Sequence, residues 1–494
     1  MSSEALNLLN PRNQTSFPRA AAQSLEDSQL RKNVRHATNM IQNKRSRMVE
    51  EMPEWQDLRI SGSAIRRHTM ALLDAYLEQF EANCTRAGGV VHWAIDAAEA
   101  CMIAERLSRT AIAREQAAPE LLKIKSMTTE EIGLNRALEA AGLHPYETDL
   151  AELIIQLGKD KPSHLVVPAL HKNRQQIREI FRREMNLPEL GDDPHQLAAA
   201  AREFLRKRFL RVPVAICGAN FLLADTGGVC IVESEGNGRM CLTLPRTLIA
   251  IAGIDKVLPR FRDLEVMLQT LPRSATGERM NPYNSIWTGI REDDGPIEFH
   301  VILLDNGRSE MLADAVSRQT LHCIRCGACQ NACPVYQQTG GHAYGSVYAG
   351  PIGAILTPQL LALKGGQSLP YASSLCGACY EVCPVEINIP QVLLHLRHKV
   401  AEQHSPLYPE RLAMSAAGKL FLSERRFRAA QRLGRYAEKL IERKDGSGER
   451  WVSWLPGWMG SWTQTRDLKA MPDRTFRQWW EKRSGKNGGT DEHS

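Results

Sequence analysis

At 494 residues the chain is long enough for about three domains, and its 43% hydrophobic and 24% charged residues suit a globular protein with a sizeable core. The 62 Lys+Arg against 56 Asp+Glu leave a net charge of +6, too mild for the dense basic footprint of a nucleic-acid binder, and no nucleic-acid-binding motif accompanies it. No apolar run reaches the ~18 residues of a transmembrane segment, and Met1 to Pro18 is polar rather than a signal peptide, which predicts a cytoplasmic location.

The first expected element is a basic, polar helix from Ser24 to Glu51. Its thin apolar stripe of Leu25, Leu30, Val34 and Met40 would lie on the body while the rest faces water. A second helix is expected over Ser63–Cys84, and residues 1–70 are taken as an N-terminal helical arm. From Gly89 onward, short Val/Ile-rich runs alternate with amphipathic stretches. Strands are predicted at Val90–Ala94, Leu165–Pro168, Val212–Cys217, Val229–Val232, Leu248–Gly253 and Phe299–Leu304. Helices are predicted at Ala97–Arg109, Thr129–Ala141, Asp149–Leu157, Gln176–Met185 and Gln196–Arg208. Continuous apolar strands alternating with helices imply an α/β domain over 71–305, with a largely parallel sheet covered on both faces.

Within that domain three stretches invite a chemical reading. Lys125, Ser126 and Thr129 head a predicted helix, as its cap or as an anion-binding start. Asp225 to Gly228 reads as a hairpin-like turn. Glu233, Glu235, Asn237 and Arg239 follow a predicted strand, where α/β folds place ligands, and Arg239 would suit a small carboxylate as a bidentate partner.

Five of the twelve cysteines (Cys84, Cys101, Cys217, Cys230, Cys241) are scattered and read as small buried hydrophobes. The other seven fall between 323 and 383, where a reducing compartment favours metal or redox work over disulfides. The first run, Cys323, Cys326, Cys329 and Cys333 followed by Pro334, has the C-x-x-C-x-x-C-x-x-x-C-P spacing of bacterial iron–sulfur sites. Thiolates serve because they are soft and delocalise charge into iron. Three at two-residue gaps wrap one cube, and the fourth is displaced toward a neighbouring one.

The second run, Cys376, Cys379 and Cys383 followed by Pro384, repeats the last three positions, with Ser373 standing where a leading cysteine would be. Crossed ligation then assigns Cys323, Cys326, Cys329 and Cys383 to one cluster and Cys333, Cys376 and Cys379 to a second. Structural zinc is the rival, but zinc sites use separated pairs, whereas here four cysteines crowd into eleven residues. Two [4Fe-4S] clusters are expected. The incomplete second site leaves open ligation by Ser373 oxygen, a remote cysteine, a labile iron or a [3Fe-4S] cluster. His342, in the glycine-rich stretch between the runs, reads as a loop residue rather than a ligand. This mainly helical, ferredoxin-like two-cluster domain is placed at 311–400.

Residues 401–494 are expected to be helical and Trp-rich, with helices at Pro409–Lys419 and Ser423–Lys444 and a frayed, polar end from Ser484 to Ser494. Six of nine tryptophans lie in the last 44 residues, beside the basic stretch Arg425–Arg450. That pairing is typical of interface anchors and suggests docking to a partner, folding over the clusters, or peripheral membrane contact.

Taken together, Lys123–Asn135, Glu147–Leu150, Pro162–His164, Gly218–Gly227, Glu233–Arg239, Cys323–Pro334, Gly340–Thr357, Leu375–Pro384 and Trp462–Asp467 resemble the lactate-utilisation iron–sulfur proteins, the LutB family (also LldF or YkgF), over nearly the whole chain. The resemblance implies a LUD-type domain at 71–305, with a fold similar to NagB-type sugar-phosphate isomerases and CoA transferases. It also implies an electron-transfer component, rather than a stand-alone enzyme, of a system oxidising L-lactate to pyruvate. The other members would be a cysteine-rich subunit and a smaller LUD protein. The same relay could serve another 2-hydroxyacid or glycerol 3-phosphate, and a redox-sensing role is the remaining alternative. No G-x-G-x-x-G follows a strand, so hydride chemistry would fall to a partner. His92, His164 and His171 are candidate bases by residue type alone.

Overall fold

The computed structural model describes residues 16–403, 409–464 and 466–487. Residues 1–15 of the expected N-terminal arm, Thr465 of the Trp462–Asp467 motif and residues 488–494 of the expected frayed end lie outside them. The chain divides into two compact units between Ala401 and Glu402.

The first unit contains ten strands: β1 (Val90–Ala94), β2 (Glu120–Lys123), β3 (His144–Glu147), β4 (Val214–Cys217), β5 (Phe221–Leu223), β6 (Gly228–Glu233), β7 (Thr247–Gly253), β8 (Val257–Leu258), β9 (Tyr283–Trp287) and β10 (Glu298–Leu304). Six form one sheet in the order β1-β10-β7-β4-β2-β3, and every neighbouring pair is parallel. The other four form a smaller mixed sheet, β8-β5-β6-β9, in which β5 and β6 are an antiparallel hairpin closed at Leu223 and Gly228.

The parallel sheet is covered on both faces. Alternation along β7 sends Ile249 and Ile251 to one side, against Ala100, Ala104 and Leu138 of the helices Ala97–Arg114 and Leu134–Ala140. Leu248, Ala250 and Ala252 point the other way. That second core runs on without a break through Leu321, Cys326, Cys329, Tyr336 and Ile355, so the cysteine-bearing segment shares its interior with the α/β sheet. Each Leu or Ile so buried contributes about 1.5–3 kcal/mol relative to exposure.

Several expected elements differ, each for a local reason. The helix expected over Thr129–Ala141 is two, Met127–Glu131 and Leu134–Ala140, because Gly133 between them takes φ +66°. The expected Ser63–Cys84 helix is the helices Trp55–Ala71 and Leu73–Arg86, interrupted at Leu72. The expected Ser24–Glu51 helix breaks at Asp27, whose side chain accepts from Leu30 N and caps a new helix, Ser28–Glu50. Leu165–Pro168 is a loop rather than a strand. Strands β2, β3, β5, β8 and β9 are not among the expected ones: β5 and β8 are three and two residues long, and β2, β3 and β9 mix polar with apolar residues. The N-terminal helices bury only a thin stripe, including Val34 and Thr38, and they spend it on the cysteine-bearing segment. Phe17 meets Tyr344 at 4.9 Å between ring centroids, Arg31 donates to Gln338, and Gln42 donates to the Asn331 carbonyl at 2.7 Å.

The second unit holds the helices Pro409–Phe421, Glu424–Glu438 and Phe476–Asn487 and a sheet of three short strands, β11 (Arg443–Lys444), β12 (Arg450–Val452) and β13 (Leu468–Lys469). The helix expected to reach Lys444 therefore stops six residues early, where the small sheet begins. Trp454, Trp462, Trp479 and Trp480 are exposed. Among the described residues no helix is long and apolar enough to cross a membrane.

In the first unit one buried charge network ties the two sequence regions together. Arg308 forks onto both oxygens of Glu131, at 2.9 Å each, and reaches Asp255 Oδ1 at 2.6 Å. Tyr348 donates to Glu131 Oε2 at 2.6 Å, and Arg325 donates to Asp255 Oδ2 at 3.4 Å. Arg308, Glu131 and Asp255 are all at most 1% exposed. Burial opposes the charge on both carboxylates, but the guanidiniums outweigh it and hold both below their ordinary values. Because their folded values lie below the unfolded ones, the stability they contribute is complete above the unfolded carboxylate range near pH 4 and is lost as pH falls further. Replacing Arg308 by Met leaves the buried Glu131 without its cation and Asp255 with Arg325 alone. The expected loss is about 3–5 kcal/mol of unfolding free energy, measured by denaturant titration at pH 7.

Candidate metal centre and adjoining cleft

The two cysteine runs fold alike. Arg325, just before Cys326, takes φ +61°, and Leu375, just before Cys376, takes φ +56°. Gly327 and Gly377 follow at φ +76° and +85°, and each opens a single helical turn, Ala328–Ala332 carrying Cys329 and Ala378–Glu381 carrying Cys379. This left-handed pair turns the backbone so that successive thiols face one point and amides point at sulfur. Cys323 Sγ accepts from Arg325 N at 3.4 Å, Cys333 Sγ from Tyr336 N at 3.5 Å, and Cys383 Sγ from Ile387 N at 3.4 Å.

The thiols fall into two sets. Cys326 feels the charge of Cys383 and Cys323, Cys329 that of Cys326 and Cys323, and Cys383 that of Cys323. These four line one small cavity with Ile352, Val385 and Ile387. Cys333 feels Cys376, and Cys379 feels both of them. Cys329 also feels Cys379, so the sets adjoin. Burial pushes Cys383 up to about 11 and Cys379 up to about 12, so these two stay protonated as bare thiols. Convergent buried thiols of this kind suit a metal centre, whose positive charge makes thiolates favourable.

Cations ring the four-thiol set. Arg59 donates to the Cys383 carbonyl at 3.0 Å and Arg45 to the Val382 carbonyl at 3.1 Å. Arg66, fully buried, donates to the carbonyls of Asp255, of Val257 at 2.9 Å and of Leu321 at 2.8 Å. The three-thiol set is closer to water, since Cys376 is exposed. Ser373 Oγ accepts from Leu375 N at 3.1 Å. A remote cysteine does not complete this set: Cys84, Cys101, Cys217, Cys230 and Cys241 are all buried in the α/β core, where burial raises every one of them. His342 bonds to the Lys161 carbonyl at 2.9 Å and packs on His171.

Beside the four-thiol set, at the C-terminal ends of β2, β4, β6 and β7, lies a cleft of about 440 Å³. Its lining includes Lys125 and Ser126 after β2, Asn220 after β4, Glu233, Glu235 and Asn237 after β6, Lys256 after β7, and Arg325 from the first cysteine run. Two loops approach closely at its floor, and a Cβ on Gly218 would lie 2.2 Å from Ser126 Oγ. Thr129 is buried beneath, donating to the Ser126 carbonyl at 2.9 Å, while Ser126 Oγ caps the short helix. The cap reading of this stretch therefore holds, with Lys125 and Ser126 still lining the cleft.

Arg239 lies outside the cleft lining, exposed on the short helix Asn237–Thr243 and contributing only its backbone N–H to Glu233. The expected bidentate role is not available to it there. None of His92, His164 and His171 lines the cleft. His92 pairs with His300 at 3.2 Å, and His171 with Asp160 and Ser163. His164 spends one nitrogen on Asn331 and the other on the Val166 and Val167 amides, and burial pushes it down to about 4. Lys256 and Arg325 were missed. The available signals were a single lysine inside the apolar run Ile249–Leu258 and an arginine set between two cysteines.

Comparison with known proteins places these features. Residues 77–304 match the LUD domain and residues 319–387 the 4Fe-4S dicluster domain. Lactate utilization protein B of Oceanobacillus iheyensis is 40% identical over 474 residues, 95% of this chain and 96% of that one. The chain belongs to the lactate utilization protein B family. Another relative, the electron transport protein YkgF of Escherichia coli, is 40% identical over 489 residues, 96% of this chain and 98% of its own length. The dicluster match makes this member of the family an iron–sulfur protein.

In this family member the loop 163–167 joins the cleft to the metal centre. Leu165 N donates to Gln330 Oε1 at 3.3 Å, His164 meets Asn331, Tyr336 donates to the Ser163 carbonyl at 2.7 Å, and Lys125 donates to the Leu165 carbonyl. Leu165 is buried there, and Val166 and Val167 are half-buried on the cleft wall, in a loop rather than in a sheet. The approach is tightest at Gly341, where a Cβ would lie 1.9 Å from the Ser163 carbonyl oxygen. Gly341→Ala is expected to cost about 1–3 kcal/mol by overpacking. It should also lower iron per chain, read by thermal unfolding and metal analysis of the purified protein.

Proposed function

We propose that this protein is the electron-transfer component of a complex that oxidises L-lactate to pyruvate, with two [4Fe-4S] clusters held crosswise. Cys323, Cys326, Cys329 and Cys383 would hold the first, and Cys333, Cys376 and Cys379 the second, with Ser373 oxygen or a labile iron at the open position. The partition of the thiols into adjoining sets of four and three is the observation that carries this reading, and the relatives' name supplies the substrate. A cysteine-rich subunit and a smaller LUD protein are the proposed partners.

When bound, such clusters take up and release single electrons. The chain's own residues tune the charge each set would carry. Amides of Arg325, Tyr336 and Ile387 stabilise negative charge at sulfur, and Arg45, Arg59 and Arg66 do the same around the enclosed first set. The second set meets water at Cys376. Two adjoining sets favour transfer over sensing, for which one suffices.

Anaerobic iron and sulfide analysis with EPR of the reduced protein tests this. About eight irons per chain with magnetic coupling between two clusters are expected, and Cys383→Ser should disturb the first cluster while sparing the second. About four irons, or zinc, would sink the two-cluster assignment.

A further inference from the structure

Lys256 stands at the end of β7, 7% exposed, and lines the cleft. Among the described residues its ammonium has no hydrogen-bond acceptor and no ion-pair partner. The carboxylate beside it, Asp255, is already taken by Arg308 and Arg325. Arg325 lines the same cleft, and its Nε is buried without a partner. A buried, unpaired ammonium is costly, and it persists where a ligand supplies the missing anion. The opposite side of the cleft has the reverse chemistry. Glu233 accepts from the Gly238 and Arg239 amides at 2.8 and 2.6 Å, Glu235 accepts from Leu150 N at 3.1 Å, and Asp149 caps the helix Leu150–Leu157. These oxygens accept hydrogen bonds and leave no donor for an anion, and burial with Asp149 alongside pushes Glu235 up to about 7. A ligand fitting both ends carries an anionic group at one end and hydroxyl donors at the other.

We infer that the cleft is a binding site for a small hydroxycarboxylate, its carboxylate on Lys256 and Arg325 and its hydroxyl turned toward the Glu233–Glu235 side. The identity of L-lactate as that acid rests on the proposed function; the site and its chemical class rest on the cleft. Arg325 sits between Cys323 and Cys326, so the bound acid would lie against the first thiol set, on the α/β side of the relay. Arg325 is too close to the cysteines to vary cleanly, which makes Lys256 the residue to test.

The experiment is equilibrium dialysis of the anaerobically purified, iron-loaded full chain with labelled L-lactate, glycolate and inorganic phosphate, on wild type, Lys256→Met and Lys256→Arg. Iron per chain, melting temperature and the EPR signal are recorded alongside. Lactate should bind wild type and lose at least tenfold in affinity in Lys256→Met, with iron content unchanged and melting temperature no lower, because an unpaired buried charge has been removed. Glycolate binding that is lost in Lys256→Met, with no lactate binding, would support the site and overturn the lactate reading. The inference itself fails if lactate binds both proteins equally, if phosphate binds as tightly as the acids, or if Lys256→Met shifts only the EPR signal. Failure of any acid to bind wild type overturns it too. Should Lys256→Met lose iron, Lys256→Arg decides: it keeps the cation, so near wild-type lactate affinity supports the site, and an affinity at least tenfold below wild type with iron retained overturns it.

Discussion

The fork of Arg308 on Glu131 and Asp255 is the constraint on which the rest of the structure depends. Glu131 ends the short helix after β2, Asp255 lies in the turn after β7, and Arg308 opens the helix after β10, so the fork fixes three strand ends relative to one another. Tyr348 and Arg325 then attach the cysteine-bearing segment to the same carboxylates. An ion network this dry is stable only if every member is present, because each charge alone would be expelled from the interior. The cleft and the metal centre are adjacent because both are built on this one set of charges.

Much of this architecture could be read from residue order. Continuous apolar runs such as Leu248–Gly253 and Phe299–Leu304 are strands because both sides of the sheet are covered. The cysteine positions follow from spacing, since eleven residues leave few ways to arrange four thiols. Where the reading failed, tertiary context intervened. Leu165–Pro168 looks like a strand because it is apolar, yet Leu165, Val166 and Val167 are spent on lining the cleft rather than on pairing in a sheet. Arg239 looks like a carboxylate ligand by type and position in sequence, but a short helix turns it to water. Lys256 and Arg325 could not be paired from sequence, because they lie 69 residues apart and meet only through the packing of β7 against the first cysteine run.

The duplicated turn in the cysteine runs shows how backbone conformation substitutes for ligand count. Each run places a left-handed residue and a glycine on either side of its leading cysteine within the turn, and each aims amides at sulfur. The second run keeps this geometry although Ser373 stands where the first run has Cys323.

The N-terminal helices rest on partners that arrive very late in the chain. Phe17 packs on Tyr344, Arg31 on Gln338, and Gln42 on Asn331, all about 300 residues downstream. At a translation rate of roughly 5–20 residues per second, those first helices wait on the order of 15–60 s for the surface that covers them. Their sparse apolar stripe and basic character suit that interval, because a helix left alone on the ribosome with a broad greasy face would find the wrong neighbour. The polarity that makes this segment look like a solvated arm is what lets it wait, and its docking marks the moment when the cysteine segment has finally been made.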